Sequence, residues 1–377
     1  MNVLLSLLQK STDYNQLLKA VEAKQAAAVS GLSQAPRSHV LAALHEHSGR
    51  PLVAVCQDDL AASRLASELG AFLGEQPPVL PSRARTHAGA IGVSRQGEQT
   101  RLRLLYALAQ GQVPVLVTSL DALLLRTMPR EVLFSASVRL RCGAEYNVDD
   151  LVARLTRAGY TRSSLVEGVG QFALRGGILD VYSPACENPL RAEFFGDELD
   201  TMGYFDPITQ RRTENVEEAV LLPVAETEAH LHPQGTAGLC EDLRAIIARQ
   251  QRRKTPNQAL IDTLQKDCEA LENETLFASA DRYMALIYPE FTTAAAYLSQ
   301  EAVVAFCDHG NLQRAEKEKA EEFGLLLDSF LTSGTLFGEL CDYYGSIEDL
   351  AAQLRGRAVV YCDGFLAARY PESLPPK

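Results

Sequence analysis

The sequence predicts an α/β protein in which a parallel-sheet domain is interrupted by an inserted small α+β domain with antiparallel strands. Short, continuously apolar runs at 51–56, 113–118, 302–307 and 358–362 are separated by helical stretches. That is how strands buried on both faces of a parallel sheet read. Between about 137 and 223 the texture changes to short alternating runs punctuated by Gly, Pro, Asn and Asp, the pattern of antiparallel strands. The chain has 377 residues, 46% hydrophobic and 22% charged. That is enough for about two or three domains with full cores and excludes disorder or low complexity.

Taken in order, 13–29 predicts an amphipathic helix. Residues 58–73 predict another, with Leu60, Leu65, Leu69 and Phe72 on one stripe, and 101–109 a third. In the inserted stretch, strands are expected at 137–142, 171–175, 178–182, 189–195, 199–205 and 216–222, with a helix at 148–158. Helices return at 238–250, 257–273, 311–327 and 347–354, the last capped by Ser346. The expected division is 1–136, the first part of the α/β domain; 137–223, the inserted domain; and 224–377, its returning part plus a C-terminal segment.

Lys and Arg number 36 against 48 Asp and Glu, a net charge of -12, which argues against bulk attraction to DNA or anionic lipid. Two basic clusters, Arg83, Arg85, Arg95, Arg101, Arg103 and Arg244, Arg249, Arg252, Arg253, Lys254, read as solvated helix faces. Aromatic residues are too scarce around them for a base-stacking platform. The alternating charges of 316–322 read as an exposed helix face. No apolar stretch approaches the roughly 20 residues needed to span a bilayer, and 3–8 has no basic run before it, so a cytoplasmic protein without a membrane partner is expected. The 8 cysteines stand singly, with no CxxC and no His at metal spacing. They read as buried thiols, implying neither a metal site nor a disulfide framework.

Two constellations bear on chemistry. The turn Gly31-Leu-Ser-Gln-Ala-Pro36-Arg37-Ser38 keeps the first Gly and the hydroxyl of a phosphate loop, but Pro replaces the second Gly and Arg the Lys. Pro36 offers no N–H and Arg37 is planar and bulky, so phosphate cradling is disfavoured. The alternative is Pro36 in a first helical turn with Ser33 as cap. After the strand at 302–307, Asp308 is followed by His309 where a second carboxylate would complete a magnesium site; the alternative is a turn or cap residue.

The second constellation lies in the inserted domain. Period-two geometry puts Leu190, Ala192 and Phe194 on a core face and Arg191, Glu193 and Phe195 on a face that should be wet. Likewise Phe172 and Leu174 point inward, and Gln171, Ala173 and Arg175 outward. Arg and Phe side by side on a wet face are the composition of an interface hot spot, and pairing of these two strands would bring Arg175 beside Arg191. The alternative pairs Arg191 with Glu193 and buries Phe195 in a second small core. Gly176-Gly177 reads as a bulge or tight turn.

The ordered run Ala158-Gly-Tyr160, Val166-Glu167, Gly170 to Tyr182, Leu190 to Asp200 and Phe205 to Arg211 resembles the module shared by bacterial transcription-repair coupling factors (the Mfd family) and the excinuclease protein UvrB. More loosely, 114–124 and 282–308 resemble the two halves of that module's helicase-like, RecA-like domain. The degenerate loop, and the lack of any Tyr, Phe or Trp in 81–94 where UvrB has a Tyr-rich hairpin, favour the N-terminal region of the coupling factors. The linker-like ending 371–377 is then expected to lead into further domains.

The resemblance implies a non-catalytic, UvrB-like module of nucleotide excision repair that docks the excinuclease protein UvrA through two Arg and a Phe, matched here by Arg175, Arg191 and Phe195. It implies no cofactor for this stretch. For the full-length protein it implies ATP and magnesium, RNA polymerase and double-stranded DNA as partners, and ATP-driven translocation that displaces stalled polymerase. The competing expectation is a nucleotide- or DNA-binding UvrB-like helicase domain with an atypical ATP site, Arg37 replacing Lys and Asp308 holding magnesium.

Overall fold

A computed structural model describes residues 3–83, 96–273, 280–333, 337–365 and 370. In chain order its first strands are β1 (Ala27–Val29), β2 (Leu52–Cys56), β3 (Val79–Leu80) and β4 (Val115–Ser119). The inserted stretch follows with β5 (Val138–Arg141), β6 (Thr161–Arg162), β7 (Gln171–Arg175), β8 (Ile178–Val181), β9 (Leu190–Phe195), β10 (Glu198–Phe205), β11 (Arg212–Asn215) and β12 (Glu218–Leu221). The chain returns through β13 (Val303–Cys307) and β14 (Ala358–Cys362).

The first and last strands form one six-stranded parallel sheet in the order β1-β14-β13-β2-β4-β3. Every residue of β2, β4, β13 and β14 is buried, which is why these strands are apolar almost without interruption. Alternate side chains feed opposite cores. Leu52, Ala54 and Cys56 belong to one core with residues of the helices Thr12–Glu22, Gln34–Ser48 and Asp59–Leu73, while Val53 and Val55 belong to the other, with residues of Gln96–Ala109, Gly235–Gln251 and Gln258–Glu272.

The inserted stretch makes a second six-stranded sheet, β11-β10-β9-β8-β7-β6, antiparallel except for the β6–β7 pair. The chain enters and leaves it along β5 and β12, which pair antiparallel. Their Val138, Leu140, Ala219 and Leu221, with Leu151 and Leu155 of the helix Val148–Arg157, close the core beneath Phe172, Leu179, Leu190 and Ala192.

Several expectations need correction. The single helix expected at 13–29 stops at Glu22, because Lys24 turns left-handed at φ 53° and Ala27–Val29 joins the sheet beside β14. On the helix Asp59–Leu73 the buried stripe is Ala62, Leu65, Ala66 and Leu69, and Leu60 is exposed. Arg83 and Arg101 are buried ion-pair partners rather than a solvated face; Arg85 and Arg95 lie outside the described residues, as do most of 81–94 and all of 371–377. Arg252, Arg253 and Lys254 are exposed as expected. All eight cysteines are free, yet Cys56, Cys307 and Cys362 end the adjacent strands β2, β13 and β14 on one face of the sheet. Linear spacing hides that row. No described helix is long and apolar enough to cross a membrane.

The return from the inserted domain is anchored by charge. Arg101 and Glu226 are both 0% exposed and meet at 2.5 Å. Arg101 also donates to the Pro81 and Ala122 carbonyls and to Thr127 Oγ1. Removing one partner of such a pair strands a buried charge. Arg101→Ala is therefore expected to lower the unfolding free energy by about 3 to 5 kcal/mol in urea denaturation; a loss near zero would contradict this account of the junction.

Candidate functional site

The tips of two adjacent hairpins present the Arg/Phe face. Arg175 and Ile178 pair across Gly176-Gly177, a tight turn with Gly176 at φ 61°. Phe194 N donates to Gly177 O at 2.7 Å, so closely that a Cβ on Gly177 would lie 2.6 Å from the Phe194 carbonyl oxygen. This close approach requires glycine and fixes the first tip against the second. Phe195 is the last residue of β9, immediately before the Gly196-Asp197 turn, and is 85% exposed.

The expected direct pairing of the two arginine strands does not occur, because β8 lies between β7 and β9. The arginines meet over that middle strand instead. Asp180 of β8 stands directly opposite Arg191, and its side chain is 1% exposed. Arg191 donates through Nε and Nη2 to the two carboxylate oxygens at 2.7 and 2.9 Å. Arg175 donates through Nη2 to Asp180 Oδ2 at 2.7 Å. A bidentate fork of this kind gives geometric specificity as well as energy. Hydrogen bonding to Asp180 pushes the Arg191 guanidinium further up, so it stays charged.

Arg191 carries more than this contact. Its guanidinium lies 4.5 Å from the Phe205 ring centroid and reaches the Gln210 carbonyl at 3.3 Å, leaving 19% of its side chain exposed against 51% for Arg175. Arg191 thus does not pair with Glu193, which is bound to Arg212 at 2.7 Å. A second small core does exist, made of Val166, Ala173 and Phe205, but Phe195 is outside it. Ala173, expected on an open face, is buried there beneath Val166. Asp180, Phe205 and Gln210 were not singled out from the sequence. A signal was present for one of them, since Asp180 is a lone carboxylate between Leu179 and Val181 in a buried strand.

The phosphate-loop residues also come together. Gly31 has φ 83°, and the amides of Gly31 and Leu32 donate to the carbonyls of Gly364 and Asp363, both at 3.1 Å. Pro36 sits in the first turn of the helix Gln34–Ser48; Ser33 occupies the cap position, though its side chain makes no capping bond. The Ser38 hydroxyl donates to Gln34 O at 3.1 Å and to Glu68. Arg37 turns towards Asp308, 4.0 Å away. Asp308 opens the helix His309–Thr332 at φ 68° and accepts from Asn311 Nδ2 at 2.9 Å. His309 is buried against the Tyr361 and Tyr370 rings. A cleft of 380 Å³ remains, with Arg37, Arg64 and Asp308 on its walls. Most of the groups that a phosphate loop would turn to a ligand are engaged within the chain. Two loop amides and the serine hydroxyl already have protein partners, and Pro36 supplies no donor.

Comparison with known proteins bears on the Arg/Phe face. Residues 138–226 match the UvrB interaction domain family. The chain is 26% identical to a transcription-repair-coupling factor of Staphylococcus aureus over 366 residues, which are 95% of this chain and 30% of the relative. It is 23% identical to that of Bacillus subtilis over 88% of this chain and 28% of the relative. With the factor of Myxococcus xanthus it shares 38% identity over 221 residues, 56% of this chain and 18% of the relative. The chain therefore spans less than a third of the length of these relatives. It is similar to their N-terminal region, as the motifs led us to expect.

The engaged loop predicts that calorimetry with ATP and magnesium gives no binding heat with this chain. Micromolar binding that disappears in Arg37→Ala would contradict that reading.

Proposed function

We propose that this chain, similar to the N-terminal region of the transcription-repair coupling factors and carrying a UvrB interaction domain, is a non-catalytic recruitment module that docks UvrA in transcription-coupled nucleotide excision repair. The observation that carries the proposal is Phe195, 85% exposed at the tip of a rigid hairpin pair and on the same sheet face as Arg175 and Arg191. An exposed aromatic beside guanidinium groups is the composition of a binding hot spot rather than of solvated surface.

The three residues divide the work. Phe195 inserts into the partner, and Arg175, half exposed, meets an acidic group on it. Arg191 is chiefly a positioning residue, holding Asp180, Phe205 and Gln210 in register while offering one exposed edge. In the full-length protein the module serves an ATP- and magnesium-dependent translocase that engages double-stranded DNA and displaces stalled RNA polymerase through domains beyond this chain. Excinuclease recruitment then follows polymerase recognition.

Truncating a hot-spot anchor costs ~2 kcal/mol or more, roughly thirtyfold in affinity. Phe195→Ala, with an unfolding midpoint like the parent's, is therefore expected to bind purified UvrA about thirtyfold more weakly in a surface-capture assay, and Arg191→Ala to show a comparable loss. Parental affinity in both variants would refute the site.

A further inference from the structure

The docking face has a second apolar end. The large apolar side chains of the inserted domain that reach solvent are Leu165, Ile178, Phe195 and Ile208, with Ile208 90% exposed. Ile178 and Phe195 belong to the face that carries the arginines, and the turn of Ile208 is tied to it. Ile178 stands opposite both Arg175 and Glu193 in register, so it shares their face and lies near Phe195. Leu165 precedes Val166, which packs on Ala173 and Phe205 on that same face. Ile208 sits in the turn after β10, which is tied to the face through Gln210. The Gln210 carbonyl and Oε1 accept from Arg191, and its Nε2 donates to Val166 O at 3.5 Å.

An isoleucine that protrudes into water from a turn gains nothing for folding, and this turn is built to hold it still. Asp206 Oδ1 accepts from the amides of Ile208 at 3.0 Å and Thr209 at 2.6 Å. Those bonds hold the Asp206 carboxyl below its ordinary range, so it remains an ionised acceptor. Gln210 adopts φ 59° and its amide bonds the Asp206 carbonyl at 2.8 Å, closing the loop, while Gln210 Nε2 donates to Pro207 O at 2.7 Å. A rigid apolar side chain loses little conformational entropy on binding, which is what an anchor requires. Arg191 and Phe195 are four residues apart on one strand, about 13 Å at the usual rise. The face therefore has Phe195 and Ile178 at one end, the Asp180-bound arginines in the middle, and the Ile208 turn, tied to Arg191 through Gln210, at the other.

We infer that Ile208 is a second anchor for the partner that docks on Phe195, so that the partner surface is an acidic centre flanked by two apolar pockets. The inference rests on the proposed docking of UvrA and extends it. It also gives Arg191 a definite part, since Arg191 is the side chain joining the arginine centre to the Ile208 turn.

The test compares Ile208→Ala, Phe195→Ala and the double variant for binding to purified UvrA, using the full chain. Because Ile208 is 90% exposed, its truncation leaves the unfolding midpoint unchanged. Affinity is expected to fall on the order of tenfold for Ile208→Ala, and the double variant should bind more weakly than either single one. Ile208→Ala binding like the parent while Phe195→Ala binds weakly would overturn the second anchor and leave the proposed function standing. Parental binding by both single variants would overturn both.

Discussion

The proposed docking face depends on one buried carboxylate. Asp180 lies in β8, between β7 and β9 of the inserted sheet, almost without solvent, where an unpaired charge would be costly. Its pairing with Arg175 on one side and Arg191 on the other holds both guanidinium groups over the strand between them. Arg191 extends the constraint to Phe205 and Gln210, and through Gln210 to the turn carrying Ile208. A single buried charge thus orders side chains drawn from three strands and one turn. Pre-ordering lowers the entropy lost on association, and that loss is a main reason why contact area alone does not give affinity.

The parallel-sheet domain shows the opposite use of polar groups. Where a phosphate loop would offer amides and a hydroxyl outward, this chain turns them inward: Gly31 and Leu32 to the backbone after β14, Ser38 to Gln34 and Glu68, Arg37 towards Asp308. The two amides fasten the sheet edge beside β14, and the Ser38 hydroxyl joins the helices Gln34–Ser48 and Asp59–Leu73. Arg101 and Glu226 pair where the chain comes back, joining residues on either side of the insertion.

What could be read from the chain follows the range of the interactions. β2, β4, β13 and β14 were legible because strands buried on both faces must be apolar throughout. β7 and β9 were legible because one face is core and the other is not. β1 is not legible because, among the described residues, it pairs with β14 alone, far along the chain, while its sequence continues a helical pattern. The faces of Arg175, Arg191 and Phe195 followed from alternation alone. Their mutual arrangement did not, since alternation gives no strand order, and the intervention of β8 replaced a direct arginine pairing with the Asp180 fork. Arg83 and Arg101 looked like surface because charge in a sequence carries no sign of the partner that permits burial. Ile208 carries no sequence signal, because a lone apolar residue in a turn has no periodicity.

The central claim is that Asp180 sets the docking face without touching the partner. Asp180→Asn preserves volume and removes the charge that both arginines share. Binding of this variant to purified UvrA, with folding checked by its unfolding curve, tests the claim most directly. The account predicts a folded protein whose affinity falls by about tenfold or more, equivalent to ~1.4 kcal/mol. A folded Asp180→Asn variant that binds UvrA as tightly as the parent would contradict it.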